Sequence, residues 1–131
     1  MIRSNKTKYM IKIPPYLKKN DLIGLVAPAG CMLQSDYEQS VQTLQEWGFR
    51  LLMGKTPGHA FHYFSGTDAE RKDDLQEMMD NPEVKAIFCV RGGYGVGKII
   101  EQLDFKRFKK NPKWIIGYSD ITVLHSHIHT N

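Results

Sequence analysis

A serine set between an apolar run and a helix start is the residue in this sequence most suited to covalent chemistry. Gly117-Tyr118-Ser119-Asp120-Ile121 directly follows Trp114-Ile115-Ile116. In a sharp strand-to-helix turn the serine hydroxyl is exposed, and the next backbone N–H, that of Asp120, points toward a developing oxyanion. The helix start behind it adds a partial positive charge of about half an elementary unit. Gly117 supplies the small residue that such a turn needs, but Ile121 stands where the G-x-S-x-G pattern has its second glycine. That signature is half met, and a plainer reading stands beside it: Ser119 or Asp120 caps the following helix.

A second constellation is Arg91-Gly92-Gly93-Tyr94-Gly95, again between an apolar run and a helix start. Glycines let a backbone turn tightly and bring N–H groups close to an anion. The run lacks the Lys-Ser/Thr of a phosphate-binding loop and does not follow the dinucleotide spacing. An oxyanion or carboxylate site suits it better, with Arg91 as a carboxylate partner. The alternative is a tight crossover that needs glycine for geometry alone. His125 and His129 have the i,i+4 spacing of a metal pair but no evident third ligand. With His127 they are expected at a surface or interface, and no metal or cofactor is expected. Substrate contact by His59 or His62 has no support in the pattern.

These residues need elements to position them. Leu22 to Ala27 is a continuous apolar run ended by Pro28-Ala29-Gly30, the mark of a buried strand entering a turn. Ser35 and Glu38 have capping-box spacing, and Tyr37, Val41, Leu44 and Trp47 then fall on one helical face until Gly48. Phe49–Met53 reads as a second strand. The long aromatic stretch from Thr56 to Gly66 is more than a simple connection. Thr67 and Glu70 open a second helix, whose apolar face is Leu75, Met78 and Met79. Val84–Val90 is a third strand, followed by a helix near Lys98–Leu103. Trp114–Gly117 is a fourth strand, with a helix from Ile121. Repeated strand-then-helix units with apolar strands imply an α/β fold, a mostly parallel sheet with helices on both faces. Functional groups then collect beyond the carboxyl ends of the strands.

Four of these turns occur in a recognisable order: Pro28-Ala29-Gly30, Phe64-Ser65-Gly66-Thr67-Asp68, Arg91-Gly92-Gly93-Tyr94-Gly95 and Gly117-Tyr118-Ser119-Asp120-Ile121-Thr122. Together they resemble the LD-carboxypeptidase family of serine peptidases, which includes muropeptide LD-carboxypeptidases and microcin C self-immunity peptidases. The resemblance runs from about Ile13 to the end. It implies a Ser-Glu-His triad with Ser119 as nucleophile, and an oxyanion hole from the backbone N–H groups of Asp120 and Gly93. Arg91, Gly92 and Tyr94 become the substrate-binding candidates. The implied activity is release of terminal D-alanine from murein tetrapeptide in peptidoglycan recycling. The alternatives are cleavage of a toxic peptidyl-nucleotide or a non-catalytic anion- or nucleotide-binding module. A murein peptide is the implied partner, and a homodimer the implied state of the complete enzyme.

The family's glutamate and histidine lie well after its nucleophile, and only residues 120–131 follow Ser119 here. The expected organisation is therefore a tail over 1–12 and a nucleophile-bearing domain over 13–131. The other triad members belong to a C-terminal domain outside this chain, and the chain alone is expected to be inactive. No apolar run approaches the roughly 18 residues of a membrane span, and the N-terminus lacks a signal-peptide core. A cytoplasmic protein without membrane contact is expected. The net charge of +4 owes much to the N-terminal lysines and to Lys106, Arg107, Lys109, Lys110 and Lys113. The latter cluster reads as the solvated face of an amphipathic turn and not as a nucleic-acid patch. Cys31 and Cys89 lack metal-ligand spacing and are expected as free, mostly buried thiols.

Overall fold

The computed structural model describes residues 10–131. Of the expected tail over 1–12, residues 1–9 lie outside the described residues. Met10 to Lys12 are exposed, and the Lys12 ammonium donates to the Lys109 carbonyl at 3.2 Å.

Four strands form one parallel sheet in the order β2-β1-β3-β4. They are β1 (Leu22–Val26), β2 (Arg50–Met53), β3 (Val84–Cys89) and β4 (Trp114–Ile116). The intervening helices are α1 (Gln34–Glu46), α2 (Asp68–Asp80), the short α3 (Val96–Ile99), α4 (Lys106–Lys110) and α5 (Ile121–Thr130). The chain goes from β1 outward to β2, then crosses back to β3 on the other side of β1. That reversal makes a crevice between the carboxyl ends of β1 and β3, where open α/β sheets hold their ligands.

The alternation of side chains along β1 divides the core. Ile23 and Leu25 pack with Leu44 of α1 and Ala86, joined by half-buried Val41, Leu51, Phe88 and Trp114. On the opposite face Leu22 and Val26 meet Leu75, Met78 and Met79 of α2, Val96 and Ile99 of α3, and Ile121 and Leu124 of α5. The expected helices on both faces are present, with the larger cluster under α2, α3 and α5.

Local signals were met unevenly. Thr67 and Glu70 form the reciprocal capping box that their spacing predicts, and the bonds from Thr67 hold the Glu70 carboxyl below its ordinary pKa. Ser35 does not cap α1. Leu33 occupies the cap position and the helix is already running at Gln34, because the Asp36 N–H bonds the Leu33 carbonyl at 3.0 Å. Trp47, expected on the apolar face, is 62% exposed at the helix end. Lys113 departs from its basic cluster: it is 4% exposed and its ammonium bonds the Asn81 carbonyl. Burial pushes it down to about 8, with Lys85 adding to the shift and Asp80 opposing it. Phe105 and Phe108 point inward with their rings edge-on at 6.2 Å, leaving the α4 lysines outside.

Candidate active site

Ser119 sits in the single gap between β4 and α5 with φ of 60°, the left-handed region. That conformation costs a non-glycine residue roughly 1–2 kcal/mol, and it is the geometry of a sharp elbow. A helix-capping residue instead takes an extended backbone. The capping alternative fails for Asp120 as well. It occupies the cap position of α5, but its side chain makes no capping bond there. Its carboxylate instead accepts the Val96 N–H at 2.8 Å, across at the start of α3. Ser119 is exposed, and a Cβ on Gly117 would meet the Ile121 side chain at 2.9 Å.

The glycine turn lies directly against this elbow. A Cβ on Gly92 would stand 2.9 Å from the Tyr118 carbonyl oxygen, 3.0 Å from Ser119 Cβ and 3.2 Å from the Asp120 nitrogen. Backbone atoms on the elbow side cannot yield as a flexible side chain would, so residue 92 has to lack a side chain for the two loops to touch. Gly93 follows with φ of 90° beneath the Tyr63 hydroxyl. Among the described residues neither the Gly93 nor the Asp120 N–H is engaged by another group. Two backbone N–H groups without a partner among the described residues thus belong to the elbow and to the glycine turn packed against it.

Arg91, the candidate carboxylate partner, is exposed and donates through one terminal nitrogen to the Cys31 carbonyl, with its guanidinium 5.9 Å from the Tyr63 ring centroid. Its other N–H groups bond nothing among the described residues. Tyr94 is 58% exposed beside Phe64, ring centroids 6.1 Å apart. The structure therefore brings all six candidates, Arg91, Gly92, Gly93, Tyr94, Ser119 and Asp120, into two adjoining loops.

The α5 histidines have partners of their own. His125 Nε2 lies 3.1 Å from the Ile115 carbonyl, and His127 packs on Phe105 at 4.9 Å. No group of three or more His, Cys, Asp or Glu among the described residues is arranged to hold a metal. Cys31 is a half-buried free thiol and Cys89 a buried one, whose pKa burial pushes up to about 12. No helix among the described residues is long and apolar enough to cross a membrane.

The supporting shell is what the sequence reading missed. The loop Thr56–Gly66 folds back so that Cys31 N–H donates to the Tyr63 carbonyl at 3.0 Å, and Phe61 and Phe64 form a two-way backbone bridge. Ser65 donates to the Ala27 carbonyl at the end of β1. Asp74 of α2 accepts from Lys55 N–H and Thr56 N–H, both at 2.9 Å, and from the Thr56 hydroxyl at 2.5 Å. That hydroxyl accepts in turn from Ala27 N–H at 2.9 Å. Arg71, fully buried, donates to the carbonyls of Gly66 at 3.1 Å and of Pro28 and Gly95 at 2.9 Å, and to the Asp68 carboxylate. Burial pulls the guanidinium's pKa down, while Asp68 and Asp120 oppose that shift. The signal available in sequence was faint, a polar helix beginning beside the Ser65-Gly66 turn.

The fold is thus a parallel α/β sheet in which a serine elbow packs against a glycine turn. Residues 23–131 match the LD-carboxypeptidase N-terminal domain, and the chain belongs to that family. It is 41% identical over 118 residues to the probable murein peptide carboxypeptidase of Bacillus subtilis, covering 90% of this chain and 37% of the relative. It is 34% identical over 108 residues to the murein tetrapeptide carboxypeptidase of Pseudomonas aeruginosa, covering 82% of this chain and 35% of the relative. Among solved structures it is similar to the microcin C7 self-immunity protein in complex with aspartyl sulfamoyl adenosine. There the TM-score is 0.82 and the identity 32%, over 87% of this chain and 35% of the other. The muramoyltetrapeptide carboxypeptidase of Oxalobacter formigenes gives 0.69 and 30%, over 79% of this chain and 34% of that one. The chain thus spans a little over a third of the length of these relatives, 37% and 35% for the two carboxypeptidases.

Proposed function

We propose that this chain is the nucleophile-bearing domain of a serine LD-carboxypeptidase that releases terminal D-alanine from murein tetrapeptide. The observation that carries the reading is the left-handed Ser119 elbow packed against Gly92. Family membership supplies the reaction class.

In the proposed reaction Ser119 Oγ attacks the carbonyl carbon of the terminal peptide bond. Its proton passes to the family's histidine, which the family's glutamate orients, both outside this chain. The carbonyl oxygen gains negative charge and is met by the N–H groups of Asp120 and Gly93. The tetrahedral adduct then collapses: the C–N bond breaks, the histidine returns the proton to the leaving amine, and D-alanine departs. Water, deprotonated by the same histidine, cleaves the acyl-serine ester and restores the hydroxyl. Arg91 receives a carboxylate of the substrate on its free N–H groups, with Gly92 and Tyr94 lining the approach. Peptidoglycan recycling places this activity in the cytoplasm, and a homodimer is the proposed state of the complete enzyme.

A second reading, cleavage of a peptidyl-nucleotide, draws support from the higher structural similarity to the microcin C7 self-immunity protein, 0.82 against 0.69. Side-by-side hydrolysis of L-alanyl-D-glutamyl-diaminopimelyl-D-alanine and of an aspartyl-adenylate amide by the full-length protein separates them. D-alanine release is expected from the full-length protein and not from residues 1–131 alone. Cleavage of the nucleotide conjugate only would select the second reading, and cleavage of neither would sink both.

A further inference from the structure

We infer that Arg71 is the positioning residue of this site, holding the glycine turn in register with the serine elbow; the inference rests on the proposed peptidase reading. The guanidinium has no exposed surface and spans three of the four loops that leave the carboxyl ends of the strands. It reaches Pro28 after β1, Gly66 after β2 and Gly95 after β3. The fourth loop is joined indirectly. The peptide unit whose carbonyl (Gly95) faces Arg71 is the one whose N–H (Val96) donates to the Asp120 carboxylate. One peptide group is therefore clamped between a buried cation on one side and, on the other, the carboxylate of the residue that follows the nucleophile.

Charge and space both favour this arrangement. A guanidinium offers five N–H donors in a planar fork, so it can satisfy several carbonyls at once where an ammonium could not in the same plane. Its positive end lies against the Gly95 carbonyl and polarises that peptide, strengthening the opposite N–H toward Asp120. Phe64 covers the guanidinium with its ring centroid 4.7 Å from Cζ and keeps water out. Residue 95 has φ of 140°, and a Cβ there would stand 2.9 Å from Arg71 Nη1 and 3.1 Å from the Phe64 ring. Glycine at this position is a consequence of where the guanidinium sits. Gly93, the proposed oxyanion donor, is two residues before the clamped peptide, so freedom at Gly95 becomes displacement at Gly93.

Arg71 touches neither substrate nor the reacting atoms, so its removal should slow turnover without weakening binding. In the full-length protein Arg71→Lys is expected to lower kcat by about 100-fold, the loss typical of a misplaced reacting geometry. KM should stay within about threefold, because ground-state contacts are untouched. In this chain, amide hydrogen exchange of Val96 and Lys98 should accelerate by at least about tenfold, while the amides of β1 and β3 keep their protection. Should Arg71→Lys not fold, Asp68→Asn removes the guanidinium's half-exposed carboxylate partner and is expected to produce the same pattern with a smaller amplitude. Unchanged kcat, unchanged exchange at Val96, or loss of protection spread evenly over the sheet would each overturn the inference. A wild-type protein inactive on both peptide classes would instead sink the functional reading, leaving the exchange pattern to decide the tether.

Discussion

The face of the sheet beneath α2, α3 and α5 and the loops at the carboxyl ends of the strands are neighbours made of different interactions. The first is aliphatic: Leu75, Met79, Val96, Ile99, Ile121 and Leu124 are nearly or wholly buried and make no polar demand. The second consists of backbone turned on itself, with carbonyls of Ala27, Pro28, Cys31, Gly66 and Gly95 each held by a specific donor. Apolar burial is non-directional and scales with area, so the core confers stability but tolerates small shifts. Hydrogen bonds are directional and weaken steeply when bent, so the loops contribute less to stability and more to precision. Stability and chemistry should therefore fail separately.

The largest effect is expected at Ser119, the proposed nucleophile. Ser119→Ala in the full-length protein should lower kcat by at least about 10⁴-fold, since a missing triad member leaves only the oxyanion site and binding. Its melting temperature should stay within a degree or two, about what a surface change of at most 0.5 kcal/mol gives. Retained turnover would remove Ser119 from the mechanism. Leu75→Ala is the converse experiment. It should cost about 2–5 kcal/mol in chemical denaturation, with kcat and KM preserved well below the new melting temperature. Loss of activity in proportion to stability would break the separation.

Gly92→Ala lies where the two regions meet. Its methyl group would press on the Tyr118 carbonyl and Ser119 Cβ, so about 1–3 kcal/mol of overpacking and roughly a 100-fold fall in kcat are both expected. A stable, fully active variant would show that the turn and elbow need not touch. The smallest effect concerns pH and the far end of the sheet. Lys113 sheds its proton near 8 when folded but near its ordinary 10.5 when unfolded. Between those values the unfolded state binds more protons, so this residue makes stability rise with pH. Measured as the difference from Lys113→Met, which cancels the other titrating groups, the wild-type melting temperature should climb from pH 8 to pH 10. A flat difference would show the ammonium to be better solvated than its burial implies.

Strands and the serine elbow were legible in the sequence because their signals are local. A strand buried on both faces must be continuously apolar, so Leu22–Val26 stands out whatever surrounds it, as does β3 from residue 86 on, after the exposed Lys85. The turn needs a small residue, a serine and a helix start in succession, and Gly117 to Ile121 has these although the second glycine of the G-x-S-x-G pattern is missing. The capping box at Thr67 and Glu70 is local too and formed as spaced. The equivalent spacing at Ser35 and Glu38 did not form one, because the path of the chain out of the β1 loop started the helix at Gln34.

Tertiary structure alone decided the rest. Asp68–Asp80 is rich in charge and nothing local in it marks Arg71 or Asp74 for burial, yet both are buried. Lys113 belongs by composition to an exposed basic cluster and is buried by the Asn81 turn. The sequence itself determined the parallel α/β sheet, the serine turn and the glycine turn. It could not determine that one guanidinium would gather three loops, or that Asp120 would serve α3 in preference to its own helix. Apart from Gly66, five residues from Arg71, those partners lie 24 to 43 residues apart along the chain, and a backbone carbonyl carries no side-chain identity by which its donor could be recognised in advance.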